Sequence, residues 1–261
     1  MSTIMSGFSF DLSDRTVLVT GASSGLGARF SKILATSGAR VVLAARRTTL
    51  IDQLAERIRA DGGRAVAVAM DVADEESTKA AYDAAEAAFG TVDTVIGNAG
   101  VNIEALAVDI EADMLDAIHS VNVRGLFLTL REGARRLIAA GSKDMQNGRM
   151  VIISSITAQS ISPGTAPYSA SKAAALQLGR VLSRDWANKG ININMILPGY
   201  ILTDINSDWF ATPGGEKQRL GWPRRRLMDE DALDGLLLYL CSDASRFVTG
   251  AAFTVDDGQS L

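Results

Sequence analysis

The 261-residue chain has one cysteine and one histidine, and each shortage excludes a class of protein. Because Cys241 stands alone, no disulfide can form within the chain, and we expect a reducing, cytoplasmic location. His119 is the only histidine, so neither a Ser-His-Asp triad nor a histidine metal centre can be built. We therefore expect no bound metal.

Excess positive charge and long hydrophobic runs are also missing. The formal net charge is -4, which gives no support to nucleic-acid binding. Residues 1–11 lack the basic region and apolar core of a secretion signal, and no apolar run is long enough to cross a bilayer. The hydrophobic content of 47% fits one large domain over residues 1–261, because no linker divides the chain.

A glycine-rich turn joins a predicted strand, Arg15–Thr20, to a predicted helix that ends near Ser37. This arrangement binds pyrophosphate, since glycines let the backbone approach the phosphates and the helix N-terminus offers free N–H groups. The glycine spacing, Gly-x-x-x-Gly-x-Gly, differs from the commoner Gly-x-Gly-x-x-Gly. The predicted dinucleotide-binding residues of the turn are Gly21, Ser23, Ser24, Gly25, Leu26 and Gly27.

Two arginines, Arg46 and Arg47, follow the second predicted strand, Arg40–Ala45. In dinucleotide sites an acidic residue here binds the adenosine ribose, whereas an arginine accommodates a 2′-phosphate. Because the acid is absent and a guanidinium fork matches phosphate geometry, the pair predicts NADP(H) in preference to NAD(H). The alternative is that both arginines only solvate a loop.

Predicted strands and helices alternate along the rest of the chain. This rhythm predicts an α/β protein, a Rossmann-type doubly wound parallel sheet with helices on both faces. Ligands bind outside the carboxyl ends of such strands. Four polar or glycine positions fall at predicted strand ends: Gly21, Asp71, Asn98 and Ser155.

Three segments carry specific predictions about structure. Residues 111–140 are predicted as mostly one long helix in which Asn122 lies on an apolar face, as a structural hydrogen-bonding residue or part of a polar relay. Residues 141–147 are predicted as a polar loop. Residues 229–241 are predicted as a helix.

A tyrosine and a lysine, Tyr168 and Lys172, are spaced to share one face of a predicted helix over 167–188. A phenol has an unperturbed pKa of about 10, so a nearby ammonium would favour its phenolate. Ser155 follows the predicted strand Met150–Ile153, which would deliver a hydroxyl to the same place. Taken alone, the tyrosine and lysine could be a chance surface pair.

The segment 200–226 breaks the rhythm with Gly214, Gly215 and exposed-looking aromatic residues. Its position after a strand predicts a substrate loop or lid, although the aromatics could simply pack this loop onto the core. Residues predicted to form an apolar substrate pocket are Ile156, Gln159, Tyr200, Trp209 and Phe210, with Trp222 nearby in the segment.

Taken in order, these motifs resemble those of the short-chain dehydrogenase/reductase family, in its single-domain, 3-oxoacyl-reductase-like branch. The resemblance runs from about Asp14 to Gly258, and the tail departs from it with Asp256-Asp257-Gly258-Gln259 where many relatives have a glycine pair. The motifs are Thr20 to Gly27, Asp71-Val72, Asn98-Ala99-Gly100, Asn122, Ser155, Tyr168-x-x-x-Lys172, and Pro198-Gly199 with Thr203.

The resemblance implies a role for each catalytic position. Tyr168 would be the acid/base and Ser155 would orient the substrate oxygen. Lys172 would bind the nicotinamide ribose and lower the tyrosine pKa, and Asn122 would hold a water that links Lys172 to solvent. It also implies a homotetramer formed through the helices that carry Asn122 and Tyr168.

The resemblance further implies which residues bind the cofactor. Asp71 and Val72 would contact the adenine, Asn98 would lie beside the ribose, and Thr203 would meet the carboxamide. The rest of the implied cofactor site is Ala99, Gly100, Tyr168, Lys172, Pro198 and Gly199.

The expected activity is reversible hydride transfer between NADP(H) and a ketone or secondary alcohol. A rival substrate is a 3-oxoacyl group on acyl carrier protein, docked by Arg135, Arg136 and Lys189, although these residues are more simply read as helix-surface charge. A different class of function is an NADP sensor that has lost turnover. The complete set of Asn122, Ser155, Tyr168 and Lys172 argues against it, because a sensor needs no proton-transfer groups.

Overall fold

A computed structural model describes residues 10–103, 105–202 and 207–261. Its seven strands form one parallel sheet in the order β3-β2-β1-β4-β5-β6-β7. The order reverses beside β1, so the carboxyl ends of β1 and β4 frame a crevice. The strands are β1 Thr16–Thr20, β2 Arg40–Ala45, β3 Arg64–Ala69, β4 Thr94–Gly97, β5 Gly148–Ile153, β6 Ile191–Pro198 and β7 Ala252–Val255.

Helices cover both faces of the sheet because successive strand residues point to opposite sides. In β1, Val17 and Val19 pack with α1, α2 and α10, whereas Leu18 packs with α3, α5 and α7. The predicted doubly wound fold is therefore confirmed. The helices are α1 Gly25–Thr36, α2 Thr48–Ala60, α3 Glu75–Phe89, α4 Ala112–His119, α5 Leu126–Ala139, α6 Ser142–Met145, α7 Ala166–Trp186, α8 Ser207–Phe210, α9 Pro213–Gly221 and α10 Asp234–Cys241.

The three segments with specific predictions differ from the structure in detail. The long helix is interrupted by a π-helical turn, Ser120–Gly125, which separates α4 from α5 and carries Asn122. The predicted loop at 141–147 contains the short helix α6, bounded by left-handed residues Gly141 and Gln146. The predicted helix at 229–241 begins only at Asp234, because the residues before it form turns.

The glycine turn is held against the end of β4 at very short range. A Cβ atom on Gly21 would lie 2.9 Å from the Cα of Ala99, and one on Gly27 would overlap the Gly21 carbonyl oxygen and lie 2.7 Å from Asn98 Nδ2. Gly25 instead has a left-handed φ of 51° and open space around it. The turn thus needs glycine for close approach at Gly21 and Gly27 and for backbone conformation at Gly25.

This close packing predicts that Gly27→Ala destabilises the protein, because a methyl group at this site would meet backbone that cannot move aside. Urea unfolding should show a loss of about 1–3 kcal/mol in the free energy of unfolding. Gly235→Ala in the exposed first turn of α10 is the matched control, since nothing lies within 4 Å of its Cβ position. Alanine there should be neutral or stabilising by up to about 1 kcal/mol. Equal effects at the two positions would contradict the packing argument.

Candidate active site

One cavity of about 840 Å³ lies at the carboxyl ends of the strands and extends from the glycine turn to the aromatic segment after β6. It brings together most of the residues predicted from sequence. Predicted cofactor residues on its wall are Gly21, Ser23, Ser24, Gly25, Leu26, Gly27, Arg46, Arg47, Asp71, Val72, Asn98, Ala99, Gly100, Pro198 and Gly199. Predicted catalytic and substrate residues on its wall are Ser155, Ile156, Tyr168, Lys172, Tyr200, Trp209 and Phe210.

Two predicted site residues, Gln159 and Asn122, do not line the cavity, and a third lies outside the described residues. Gln159 follows a 3-10 turn, Ile156–Ala158, and is exposed, and it is not one of the residues that line the cavity, so its substrate role stays a prediction. Asn122 is buried behind the wall. Thr203 lies outside the described residues.

The start of α1 is suited to bind an anion. Its N-cap residue, Ser24, makes no side-chain hydrogen bond to the helix, and no acidic residue occupies the first turn. The free N–H groups and the positive end of the helix dipole are therefore not neutralised by the protein itself. Because Gly25 leaves open space beside them, a pyrophosphate fits here.

Arg47 connects the end of β2 to this turn. Its guanidinium donates to Ser23 Oγ at 2.7 Å and to Ser24 Oγ at 2.6 Å, and it remains exposed beside Arg46 on the cavity wall. The alternative in which both arginines only solvate a loop therefore does not describe Arg47, which is held beside the start of α1.

Thr20 fixes the segment that begins at Asn98. Its hydroxyl accepts from the backbone N–H groups of Asn98 at 3.0 Å and Ala99 at 3.1 Å, while Asn98 Nδ2 donates to the Thr20 carbonyl at 2.9 Å. These bonds join β1 to β4 at the crevice where the strand order reverses. The sequence placed Thr20 within the glycine motif but gave no sign of this role.

The hydroxyl of Ser155 is oriented by Thr157, a residue that sequence reasoning missed. Ser155 Oγ accepts from the Thr157 N–H at 3.1 Å and from Thr157 Oγ1 at 3.0 Å. Both bonds leave the serine proton available to the cavity. No spacing signal could have found Thr157, because the contact depends on the 3-10 turn after β5.

The phenol of Tyr168 is protonated at neutral pH. Burial raises the pKa of Tyr168 to about 12, a hydrogen bond with Ser155 opposes this rise, and the neighbouring Tyr200 adds to it. Lys172 is not among the groups that shift this pKa, so the expectation that it lowers the pKa of Tyr168 stays a prediction. The Tyr168 phenol therefore carries a proton that it can donate.

Lys172 lies next to the phenol but is held by the main chain. Its ammonium is 5.6 Å from the centre of the Tyr168 ring and donates to the Ile153 carbonyl at 2.9 Å. Burial lowers the pKa of Lys172 to about 8, so the side chain stays mostly charged at pH 7. The sequence-based alternative of a chance surface pair is excluded, because the lysine is only 6% exposed.

Asn122 joins the segment after β4 to α7 through a full set of side-chain hydrogen bonds. Its Oδ1 accepts from the Val101 N–H at 2.8 Å, and its Nδ2 donates to the Val101 carbonyl and to Ser171 Oγ, both at 2.9 Å. Asn122 Oδ1 and Lys172 Nζ both lie 3.4 Å from the Cβ position of Gly100. The asparagine is thus a structural residue beside Lys172, and its water-relay role stays a prediction.

The aromatic residues after β6 divide between the cavity and the core. Trp209 is 43% exposed and lines the cavity, with its indole N–H bonded to Gln218 Oε1 at 2.8 Å. Trp222 is buried and stacks on Tyr200, and Phe210 contacts both rings. Both sequence interpretations of the segment therefore apply, each to different residues.

The proposed carrier-docking arginines are not equivalent. Arg136 is paired within the chain to Asp83, Glu86 and Glu132 at 2.7–2.8 Å. Arg135 is more exposed and its nearest carboxylate oxygen, on Glu132, is 3.7 Å away. Helix-surface charge therefore accounts for Arg136, which has no free guanidinium to offer an acidic partner.

The described residues contain neither a metal site built from His, Cys, Asp and Glu nor a membrane-spanning helix. No group of three or more His, Cys, Asp and Glu side chains is arranged to hold a metal ion in 10–103, 105–202 and 207–261. Across the same ranges, no helix has both the length and the apolar character required to cross a membrane.

Comparison with known proteins agrees with this geometry. The family model of the short chain dehydrogenases matches residues 15–214. L-rhamnose 1-dehydrogenase (NAD(P)(+)) of Azotobacter vinelandii is 36% identical over 95% of this chain and 97% of its own. D-threitol dehydrogenase of Mycolicibacterium smegmatis is 31% identical over 97% of this chain and 96% of its own. The crystal structure of a gluconate 5-dehydrogenase from Burkholderia cenocepacia with NADP and tartrate aligns with a TM-score of 0.90, at 33% identity over 96% and 97%.

An open parallel sheet with a glycine turn after its first strand defines a dinucleotide-binding α/β protein. The chain belongs to the short chain dehydrogenase family, and is an oxidoreductase that acts on alcohol or carbonyl groups.

The lowered pKa of Lys172 predicts how stability changes with pH. The unfolded lysine titrates near 10.5 and the folded one near 8, so between these values the unfolded state binds more protons and the free energy of unfolding rises with pH. One proton corresponds to a slope of at most about 1.4 kcal/mol per pH unit. Tyr168 acts in the opposite direction only above pH 10, where its unfolded phenol ionises first.

Urea unfolding from pH 7.5 to 9.5 would measure this effect. Wild type should gain stability relative to Lys172→Met across the interval, because the variant has no buried amine to titrate. Parallel pH dependences for the two proteins would show that the lysine is not destabilised by burial.

Proposed function

We propose that this protein transfers a hydride reversibly between NADP(H) and a neutral ketone or secondary alcohol. The observation that carries the proposal is that Ser155, Tyr168 and Lys172 meet on the wall of one cavity that continues to the uncapped start of α1. When bound, the nicotinamide supplies or accepts the hydride. The chain's own residues do the rest.

In the reducing direction, Ser155 and Tyr168 act on the substrate oxygen. The Ser155 hydroxyl, held by Thr157, donates a hydrogen bond that orients the carbonyl, and Tyr168 gives its proton to the oxygen as negative charge develops there. A phenol with a pKa raised to about 12 is reliably protonated before this step. The phenol at neutral pH is therefore in the protonation state that the reducing direction requires.

Lys172 stabilises the phenolate that remains. Its ammonium is close to the Tyr168 ring and buried, so the attraction is little screened by solvent. The hydrogen bond to Ile153 fixes its position, and Asn122 supports the neighbouring backbone. A water held at Asn122 would return a proton from solvent.

The cavity wall favours an uncharged substrate. Its charged side chains among the described residues are Arg46, Arg47 and Asp71, at the ends of β2 and β3, and Lys172 beside the phenol. The region between the phenol and the 207–226 segment is lined instead by apolar residues with hydroxyl and amide groups, including Ile156, Leu106, Ser162 and Gln218. A free carboxylate would find no partner on these walls.

The two arginines after β2 support NADP(H) as the preferred cofactor. Arg46 and Arg47 line the cavity where the adenosine ribose lies in this fold, and no carboxylate follows β2 to bind the 2′-hydroxyl. Asp71 and Val72 would then contact the adenine. A solved relative with bound NADP agrees with this preference.

Replacing Tyr168 by Phe should abolish turnover while leaving cofactor binding intact. Loss of the proton donor is expected to lower kcat by about 100-fold or more. The assay follows NADPH oxidation with bulky and cyclic ketones and diketones, and NADP reduction with neutral polyols. NADPH binding, followed by its fluorescence, should change by less than about two-fold, since the ring remains. A kcat that falls much less than this would remove Tyr168 as the acid, and wild type that binds NADPH but turns over nothing would favour the sensor.

Replacing Arg47 by Gln should reduce the preference for NADPH. The catalytic efficiency kcat/KM with NADPH should fall about 10- to 100-fold, the value of one charge-assisted hydrogen bond, whereas that with NADH should change little. Arg57→Gln, on the exposed face of α2, is the matched control. Equal losses with both cofactors would show that Arg47 only supports the glycine turn.

Assembly as a homotetramer stays a prediction. It is supported by α4, which buries only Ile118 within the chain and leaves Leu115 40% exposed. Val181 on α7 is also 48% exposed.

A further inference from the structure

The C-terminal tail makes an unusual contact with the cavity wall. Gln259 Oε1 accepts from the Tyr200 N–H at 2.6 Å, and Gln259 Nε2 donates to the Tyr200 carbonyl at 3.2 Å and to the Arg226 carbonyl at 3.4 Å. One buried amide thus satisfies both backbone groups of a single residue at the end of β6. The Tyr200 carbonyl also accepts from the Met228 N–H at 3.1 Å, whereas the Tyr200 N–H is bound by the Gln259 side chain.

Tyr200 is the residue through which this contact reaches the reaction site. It lines the cavity and is near enough to Tyr168 to influence its ionisation. Its ring stacks on Trp222 with centroids 5.3 Å apart and meets Phe210 edge-on at 5.6 Å. Its hydroxyl is 3.1 Å from Ser162 Oγ, which also lines the cavity. Tyr200 therefore joins two segments of the chain that line the cavity.

We propose that Gln259 is a positioning residue for substrate binding: its side-chain amide fixes the Tyr200 backbone, and thereby the aromatic wall that faces the substrate. The inference deepens the proposed function and rests on it for the identity of the bound compound class, a neutral ketone or alcohol. Gln259 touches neither substrate nor cofactor, since it lies outside the cavity.

Local packing allows the Gln259 side chain to reach the Tyr200 main chain. A Cβ atom on Gly199 would lie 2.5 Å from Gln259 Oε1, so glycine at this position lets the amide approach the main chain. The tail turn is shaped by Asp256, whose carboxylate accepts from the N–H groups of Gly258 at 3.0 Å and Ser260 at 2.9 Å. Gln259 is thus presented by a turn that forms independently of Tyr200.

The adjacent residue, Asp257, provides a matched control. It has a left-handed φ of 52° and pairs with Arg226 at 2.6 Å and Arg224 at 3.2 Å. Asp257→Asn removes the charge from the same tail turn without touching Tyr200, and asparagine tolerates the same backbone conformation. A general loosening of the tail would appear in both variants, whereas loss of the Tyr200 contact would appear only at Gln259.

The first test needs no substrate. In a background where Trp186 and Trp209 are replaced by Phe, Trp222 is the only tryptophan, and acrylamide quenching of its fluorescence reports on packing against Tyr200. Gln259→Met keeps the side-chain length without hydrogen bonds and should raise the quenching constant about two-fold, while Asp257→Asn leaves it unchanged. Gln259→Glu, which keeps only the acceptor, replaces Gln259→Met if that variant does not fold. An unchanged constant at Gln259, or equal increases in both variants, would overturn the inference.

The second test separates substrate binding from chemistry. With cyclohexanone as the ketone probe, Gln259→Met should raise KM about 10-fold while kcat and the dissociation constant of NADPH change by less than about two-fold. A fall in kcat with unchanged KM, or a matching loss of NADPH affinity, would overturn the positioning role. If wild type reduces no ketone at all, the proposed function fails, and the quenching result still decides whether Gln259 holds Tyr200.

Discussion

Two hydrogen bonds between β5 and α7 fix the geometry on which the active site depends. Ser154 Oγ donates to the backbone carbonyl of Lys172 at 2.9 Å, and Lys172 Nζ donates to the backbone carbonyl of Ile153, also at 2.9 Å. The helix and the strand end thus hold each other at the same point. Ser155 is the next residue on one side and Tyr168 lies one turn away on the other, so the three reacting groups inherit a position set by buried main-chain contacts.

The two ends of the cavity are built by different means. At the cofactor end, main-chain atoms form the wall. Glycines permit contact between β1, α1 and β4, and the start of α1 has no side-chain cap. At the substrate end, side chains from distant parts of the sequence meet around Tyr200. A wall formed by main-chain atoms in close contact tolerates few amino-acid substitutions, whereas a wall of aromatic side chains changes shape with each substitution. Relatives with the same fold and different named substrates fit this division.

The sequence predicted the sheet and its flanking helices, because apolar periodicity is a local signal. The glycine motif and the family resemblance together predicted more than half of the residues on the cavity wall. The sequence did not predict the turn that carries Asn122, since helical periodicity does not distinguish one π-helical turn from the α-helix around it. It also missed Thr157 and Gln259, whose contacts depend on the shape of short turns. Burial accounts for two further findings: Trp222 is covered by Tyr200, and desolvation is the largest influence on the pKa of Tyr168.

The π-helical turn at Ser120–Gly125 changes the direction in which side chains point on α4 relative to α5. Each residue of an α-helix advances the direction of its side chain by about 100°, so one added residue turns everything before it by that angle relative to everything after it. One side of the turn, α5, is thereby free to bury its apolar stripe against the sheet, while α4 aims most of its surface outward. A one-residue deletion in this turn would leave the composition almost unchanged, yet it would rotate α4 to a new face and withdraw Asn122 from Val101 and Ser171. The number of residues in this segment therefore determines the orientation of α4 and the position of Asn122 as much as their identities do.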